Sequence, residues 1–279
     1  MPFATTAQEA WSRPSGLANR LRHTVRNNLL FAASRFPRPR GTKFVRCLYG
    51  HAVFPENVDS LRAFLRTIKQ QGEFIDTASL LSILRSGEEP DGRFFHLSFD
   101  DGFANVLEAG GEIFMAERVP WTMFVATDLV EAPVDTLERY FSQLNAYAAP
   151  VRIMSWDQVR AVAEFGGEIG CHTRTHARLS QISGDPLRLA DEILGARNKI
   201  EAETGRPCTA FAWPYGTARD IDAPARRAIA DAGFDICFSA VRGRVEPGVT
   251  LPMDVPRHQV EYHWPMHQRL LWASGFREP

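Results

Sequence analysis

The stretch HLSFDDGF, residues 96–103, ends an apolar run with two adjacent carboxylates, Asp100 and Asp101, and a glycine. Neighbouring carboxylates raise each other's pKa when partly buried, unless a positive partner stands beside them. A second stretch, EIGCHTRTHARLS, sets His172 and His176 four residues apart. If residues 172–176 form one helical turn, both imidazoles project to the same side, which suits two nitrogen ligands on one metal ion. A carboxylate from another strand end would complete a three-ligand site with an open position for water. The cation would then be the positive partner of the Asp pair. A third stretch, FAWPYG, ends an apolar run with Trp213, Pro214, Tyr215 and Gly216. Each signal is weak alone, since HxxxH also marks two surface histidines and DDG a solvated turn. Together, each closing a predicted parallel strand, they favour the joint reading.

Positioning such residues requires strands and helices in alternation, and the chain alternates from residue 44 onward. KFVRCLYG, RFFHLSF, PWTMFVA, GEIGCH, CTAFAWPYG, FDICFSA and RHQVEY read as strands. Helical spacing is carried by Val58, Leu61, Leu65 and Ile68, and helices are also expected over DTASLLSILRSG, ANVLEAGGEIFMAER, SWDQVRAVAEFG, PLRLADEILGARNKIEAETG and DAPARRAIADAG. Asp76 or Thr77 is the expected cap of the second helix, and Gly87 its terminator. This rhythm implies a parallel sheet with helices outside, barrel-like or doubly wound. Chemistry in such sheets sits at the carboxyl ends of the strands. Residues 128–153 interrupt the rhythm and read as an insertion of the kind that grips substrates. Gly102 and Gly216 are expected where backbone approaches substrate. Cys171 should point away from His172 along the strand.

The 279 residues are 44% hydrophobic and 23% charged, which allows a sizeable core in one large α/β domain. A net charge of −1 gives no field favouring nucleic acid, and none is expected as a partner. The total hides a net +8 over residues 1–46, where Glu9 is the single acid. Leu17, Leu21, Val25, Leu29 and Phe36 form an irregular apolar stripe in this basic arm. Such a stripe ordinarily faces a core; the other reading docks residues 1–40 on anionic lipid as a peripheral anchor. There is neither a bilayer-spanning run nor a secretory signal, so the expected location is cytoplasmic, membrane-peripheral if the arm docks. Cys47, Cys171, Cys208 and Cys237 lack CxxC spacing and fit free thiols.

LSFDDGF, HTRTH and FAWPYG closely resemble the first three motifs of the polysaccharide deacetylases, the NodB homology domain of carbohydrate esterase family 4. The resemblance spans about residues 44–260. It implies an α/β fold, a distorted (β/α) barrel of seven parallel strands, here over 44–279 with a basic helical extension over 1–43. It implies a metal-dependent hydrolase that removes acetyl from an N-acetylated sugar. Asp101, His172 and His176 match the family's metal ligands, for Zn²⁺ or else Co²⁺, Ni²⁺ or Mn²⁺. Asp100 matches the catalytic base, and the backbone N–H of Tyr215 the oxyanion donor. Trp213 and Tyr215 offer flat faces to a sugar ring. Many relatives open the third motif with an arginine that orients the base, where this chain has Ala212; Arg257 could supply that charge from another strand. No late Leu-x-His motif is evident, and His258 is the best-placed general acid, with His263 and His267 behind it. His51 receives no role. Competing readings are hydrolysis of a non-sugar amide on the same barrel, or a non-catalytic carbohydrate-binding domain.

Overall fold

A computed structural model describes residues 2–11, 17–35, 43–144, 146–276 and 278. Its strands are β1 (Phe44–Gly50), β2 (Glu73–Phe74), β3 (Arg93–Phe99), β4 (Trp121–Val125), β5 (Gly167–Cys171), β6 (Ala210–Ala212), β7 (Ile236–Phe238) and β8 (Arg257–Gln259). They run in the order β7-β6-β5-β4-β3-β1-β8, and every ladder is parallel. A parallel bridge between Phe238 and Val255 brings the two ends of this path together, so seven strands make a nearly closed barrel. The expected distorted (β/α) barrel is the observed fold. The two-residue β2, which the sequence did not announce, pairs with Phe94 and Phe95 below the part of β3 that β4 uses.

The pleat divides the barrel into two cores. Val45, Cys47, Phe124, Ala210, Ala212, Ile236 and Phe238 fill the lumen. The larger core lies between strands and helices; Leu61, Phe64, Leu65 and Ile68 of the helix Val58–Lys69 contribute to it from one face. Burying four such side chains stabilises the fold by roughly 6–12 kcal/mol before entropy is counted. The helix Thr77–Ser86 starts at Asp76, whose carboxylate accepts from Ser79 N at 2.8 Å, and stops at Gly87 in the left-handed conformation (φ 68°). All four cysteines are buried and free.

Two regions depart from a plain barrel. Within 128–153 the helix Val134–Gln143 packs Leu137, Tyr140 and Phe141 into the core. Residues 2–11 are tied to the end of the same insertion, with Ala4 N donating to Pro150 O and Ala148 N to Ala10 O, each at 2.8 Å. The helix Leu17–Ser34 meets the helix Met266–Ala273 through buried Leu30, with Phe31 edge-on to His267 at 5.1 Å. Leu21 (64% exposed), Val25 (49%) and Leu29 (65%) therefore face solvent, against the expectation that this stripe faces a core. The reason is angular: at 100° per residue Leu30 lies well off the stripe. The side chain of Leu17 and all of Phe36 fall outside the described residues. Among the described residues no helix is long and apolar enough to cross a membrane.

Candidate metal centre and active site

The carboxyl ends of β3, β5, β6 and β8 meet at the mouth of the barrel. Asp100 continues the inward side of β3, and its N–H donates to Gly50 O at 3.0 Å, tying the ends of β3 and β1 together. Its carboxylate faces Arg257 of β8, whose side chain is fully buried. Nη1 and Nη2 of Arg257 donate to the two Asp100 oxygens at 2.8 and 2.7 Å. The guanidinium also donates to Ser98 Oγ (3.0 Å) and, through Nε, to Ser239 O (2.7 Å). It lies over the Tyr49 ring at 4.4 Å. Such a two-pronged, fully bonded pair fixes both position and charge. Burial alone would raise the Asp100 pKa, but Arg257, helped by His172 and His51, holds the carboxyl below its ordinary value. Ala212 carries no charge, and it is Arg257, from another strand, that pairs with Asp100.

Asp101, His172 and His176 lie together, with ligand atoms within 4.8 Å of one another. Asp101 Oδ1 is 3.6 Å from His172 Nε2 and 3.2 Å from His176 Nε2. The expected helical turn over 172–176 is absent. The segment is an irregular loop in which Thr173 and His176 are left-handed (φ 65° and 61°), so the two rings converge through backbone kinks. Asp101 (φ 72°) and Tyr215 (φ 63°) share that conformation. Non-glycine residues in it are strained, and such strain gathers at functional sites.

Glu192 supplies the restraint. It sits in a π-helical turn, Asp191–Gly195, and is buried. Its carboxylate accepts from the N–H groups of Arg174 (3.1 Å) and Thr175 (2.9 Å) and from Thr175 Oγ1 (2.6 Å). π-turns of this kind recur at functional sites. No short motif points to Glu192; the only sign is an acid inside an otherwise regular helical pattern.

These residues fit a divalent ion. His172 Nδ1 lies 2.7 Å from Ala212 O, which fixes the proton on Nδ1 and leaves a lone pair on Nε2. Burial, the largest influence, lowers the His172 pKa to about 4, so the ring is neutral. Its Nε2 lone pair therefore faces the Asp101 carboxylate, whose buried Oδ1 has no hydrogen-bond partner. Burial opposes ionisation of Asp101, but the adjacent histidines, His176 first, hold it well below the usual carboxylate range. Ligand atoms converging on one point, with the outer nitrogen of His172 held by Ala212 O, form a cation site.

A cavity of about 520 Å³ opens over this centre and is lined by both aspartates and both histidines. His51, one residue past β1, lines it too. Its Nδ1 lies 2.5 Å from Glu261 Oε1, leaving Nε2 as the other ring position. Burial disfavours the charged ring, yet the Glu261 carboxylate prevails and lifts its pKa to about 9. Like Asp100 and His172, His51 stands at a strand end, a position from which the sequence alone leaves it either lining the site or capping a loop. His258 does not reach the cavity. It alternates to the outer side of β8, is fully buried, and its Nε2 lies 3.0 Å from Glu278 Oε1. His263 lines the cavity, whereas His267 packs on Phe31.

Trp213 and Tyr215 both line the cavity, but neither presents a fully open face. Trp213 is fully buried, its indole N–H donating to Thr217 O at 3.2 Å. Tyr215 is 36% exposed, with the Arg178 guanidinium 4.0 Å over its ring and His176 at 4.9 Å. Gly102 and Gly216 also relieve crowding inside the protein. A Cβ on Gly216 would stand 2.3 Å from Ala240 Cβ, and one on Gly102 3.2 Å from Val125.

A model of the polysaccharide deacetylase family matches residues 87–237. Among solved structures, IcaB from Ammonifex degensii is 20% identical with a TM-score of 0.66, covering 85% of this chain and 98% of its own. The BpsB deacetylase domain from Bordetella bronchiseptica is 19% identical at TM-score 0.64, with coverages of 81% and 98%. The Streptococcus pyogenes deacetylase PplD, in complex with acetate, is 16% identical at TM-score 0.63, with coverages of 84% and 98%. At these identities the likeness establishes the shared fold. No curated protein matches the sequence. The family match covers more than half of the chain, and its three motifs meet at one centre: the chain belongs to the polysaccharide deacetylase family, carbohydrate-active hydrolases that use a divalent metal.

Proposed function

We propose that this hydrolase removes acetyl from N-acetylated hexosamine units of a polysaccharide, with Asp101, His172 and His176 holding one divalent ion, Zn²⁺ in the first instance. The observation that carries the reading is the Asp101–His172–His176 cluster beside an Asp100 ionised by Arg257. A divalent ion held by these three residues would supply Lewis acidity to an acetyl carbonyl and lower the pKa of a water. Asp100 takes the proton from the attacking water, and Arg257 holds its two oxygens in place for that step. The Tyr215 N–H, presented by a left-handed turn, stabilises charge on the carbonyl oxygen. His51, protonated beside Glu261, gives the proton that the leaving nitrogen needs as its bond to the acetyl carbon breaks. This moves the acid's role from His258 to His51. The products are acetate and a free amine.

The test is acetate release from an N-acetylglucosamine pentamer by zinc-loaded protein. Turnover is expected in the wild type and lost in Asp100→Asn, which still binds zinc. An Asp100→Asn protein as active as the wild type would remove Asp100 from its role.

We further propose that the N-terminal arm rests on an anionic membrane face. Support comes from the outward stripe of Leu21, Val25 and Leu29 and the net +8 of residues 1–46. A second copy would bring like charges together. Co-sedimentation with phosphatidylglycerol vesicles should fall in Leu29→Asp, and equal sedimentation of both proteins would remove the proposal.

A further inference from the structure

The family motifs account for the floor of the cavity but not for its rim, and one rim residue comes from far outside them. Trp11 follows a single helical turn, Ala7–Ala10, and is held there by several independent contacts. Ala7 N donates to Glu56 Oε1 at 2.7 Å, Ala10 is fully buried, and Trp11 forms an antiparallel bridge with Tyr147. Its indole stands edge-on to Tyr147 (5.0 Å between ring centres), His263 (4.8 Å) and Phe54 (6.0 Å). It is nonetheless only half-buried, and it lines the same cavity as Asp100 and His176.

An indole that served packing alone would sit in the core below, as Trp121 does. Here three rings brace the indole at the mouth of the cavity. Gln143 and Gln259 line the same cavity with amide groups that can bond hydroxyls, Gln259 also donating from its amide nitrogen to Glu261 Oε1 at 2.9 Å. A rigid flat apolar face next to neutral hydrogen-bonding groups is the surface that a pyranose ring recognises, with C–H groups on the aromatic face and hydroxyls at its edge.

We propose that Trp11 is a specificity residue, binding a sugar unit next to the one being deacetylated, so that the enzyme selects a chain over a single sugar. This rests on the deacetylase reading and names the length of its substrate. Trp11 does not touch the reacting atoms. Its removal should therefore raise KM for an oligomer and leave kcat and the monosaccharide reaction unchanged.

The experiment uses the full zinc-loaded chain with N-acetylglucosamine and its pentamer, reading acetate release and, by saturation-transfer NMR, binding. Trp11→Leu fills the apolar space without a flat face, while Trp11→Phe keeps a smaller one. In Trp11→Leu the pentamer KM should rise roughly fivefold to tenfold, with kcat and monosaccharide turnover within twofold of wild type. Trp11→Phe should recover much of that loss. A pentamer KM unchanged in Trp11→Leu overturns this inference alone. So does an equal loss on both substrates, which marks a packing role. A wild type that neither binds nor deacetylates the pentamer overturns the functional reading and this inference with it.

Discussion

Arg257 and His258 are neighbours on β8, both fully buried and both paired with a carboxylate. The pleat sends them to opposite sides of the barrel. Arg257 points into the lumen, where the strand ends converge, and locks Asp100. His258 points outward to Glu278, which also accepts from Arg46 Nε at 2.6 Å, so this pair fastens the end of the chain to β1. Burial and a carboxylate partner are common to the two sides. The lumen differs by gathering ligand atoms of three side chains, Asp101, His172 and His176, around one point, whereas on the outer side His258 Nδ1 lacks a partner but stands in no such cluster. A buried ion pair by itself therefore says little about chemistry; a cluster of ligand atoms beside it says more.

The comparison can be broken most forcefully from the inside. Asp100→Asn should lower kcat about 10²–10⁴-fold while metal content stays at the wild-type level. Arg257→Met leaves Asp100 buried without its partner, which should cost about 3–5 kcal/mol in urea unfolding and raise the acid limb of the pH–rate profile. The sign follows from Asp100: its pKa is depressed in the fold, so that stability is present above the ordinary carboxylate pKa and is lost as pH falls through the depressed one. His258→Gln, on the outer side, should leave kcat within about twofold and act only on stability. A thousandfold loss in that variant would restore His258 to the site.

Smaller effects sharpen the picture of what holds the centre. Glu192→Gln weakens the carboxylate that bonds the Arg174 and Thr175 N–H groups, and zinc affinity should fall about 10–100-fold by competition with a chelator. His51→Gln should lower kcat by about 10² and remove the alkaline limb of the profile. In the wild type that limb lies at or below about 9, because His51 must be protonated to act and a bound cation offsets part of the negative charge that lifts it. Glu261→Gln should move the limb to lower pH. The stability that His51 draws from Glu261 is complete below the ring's unfolded pKa and disappears as pH rises through about 9.

What the sequence made legible follows the same division. Asp100 and His172 stand directly after strands β3 and β5, and Asp101 and His176 follow within five residues of those strand ends. Local pattern therefore located them, and all four lie together. Arg257 was legible as a candidate because a missing charge at Ala212 demanded one. The shape of HTRTH was not, since its kinks depend on Glu192 some sixteen residues on, in a turn that no local propensity announces. The helix stripe of Leu21, Val25 and Leu29 has helical spacing, but spacing cannot say which face finds a partner. His258 looked suitable because it follows Arg257, and alternation along the strand is what removes it.

The central claim is that Asp101, His172 and His176 form a metal centre. It is tested most directly by elemental analysis of protein purified without added metal, then reconstituted with zinc, alongside His172→Ala and His258→Ala. The account predicts about one divalent ion per chain in the wild type and in His258→Ala, and loss of that ion in His172→Ala. No metal in the wild type even after reconstitution, or equal metal in His172→Ala, would contradict it.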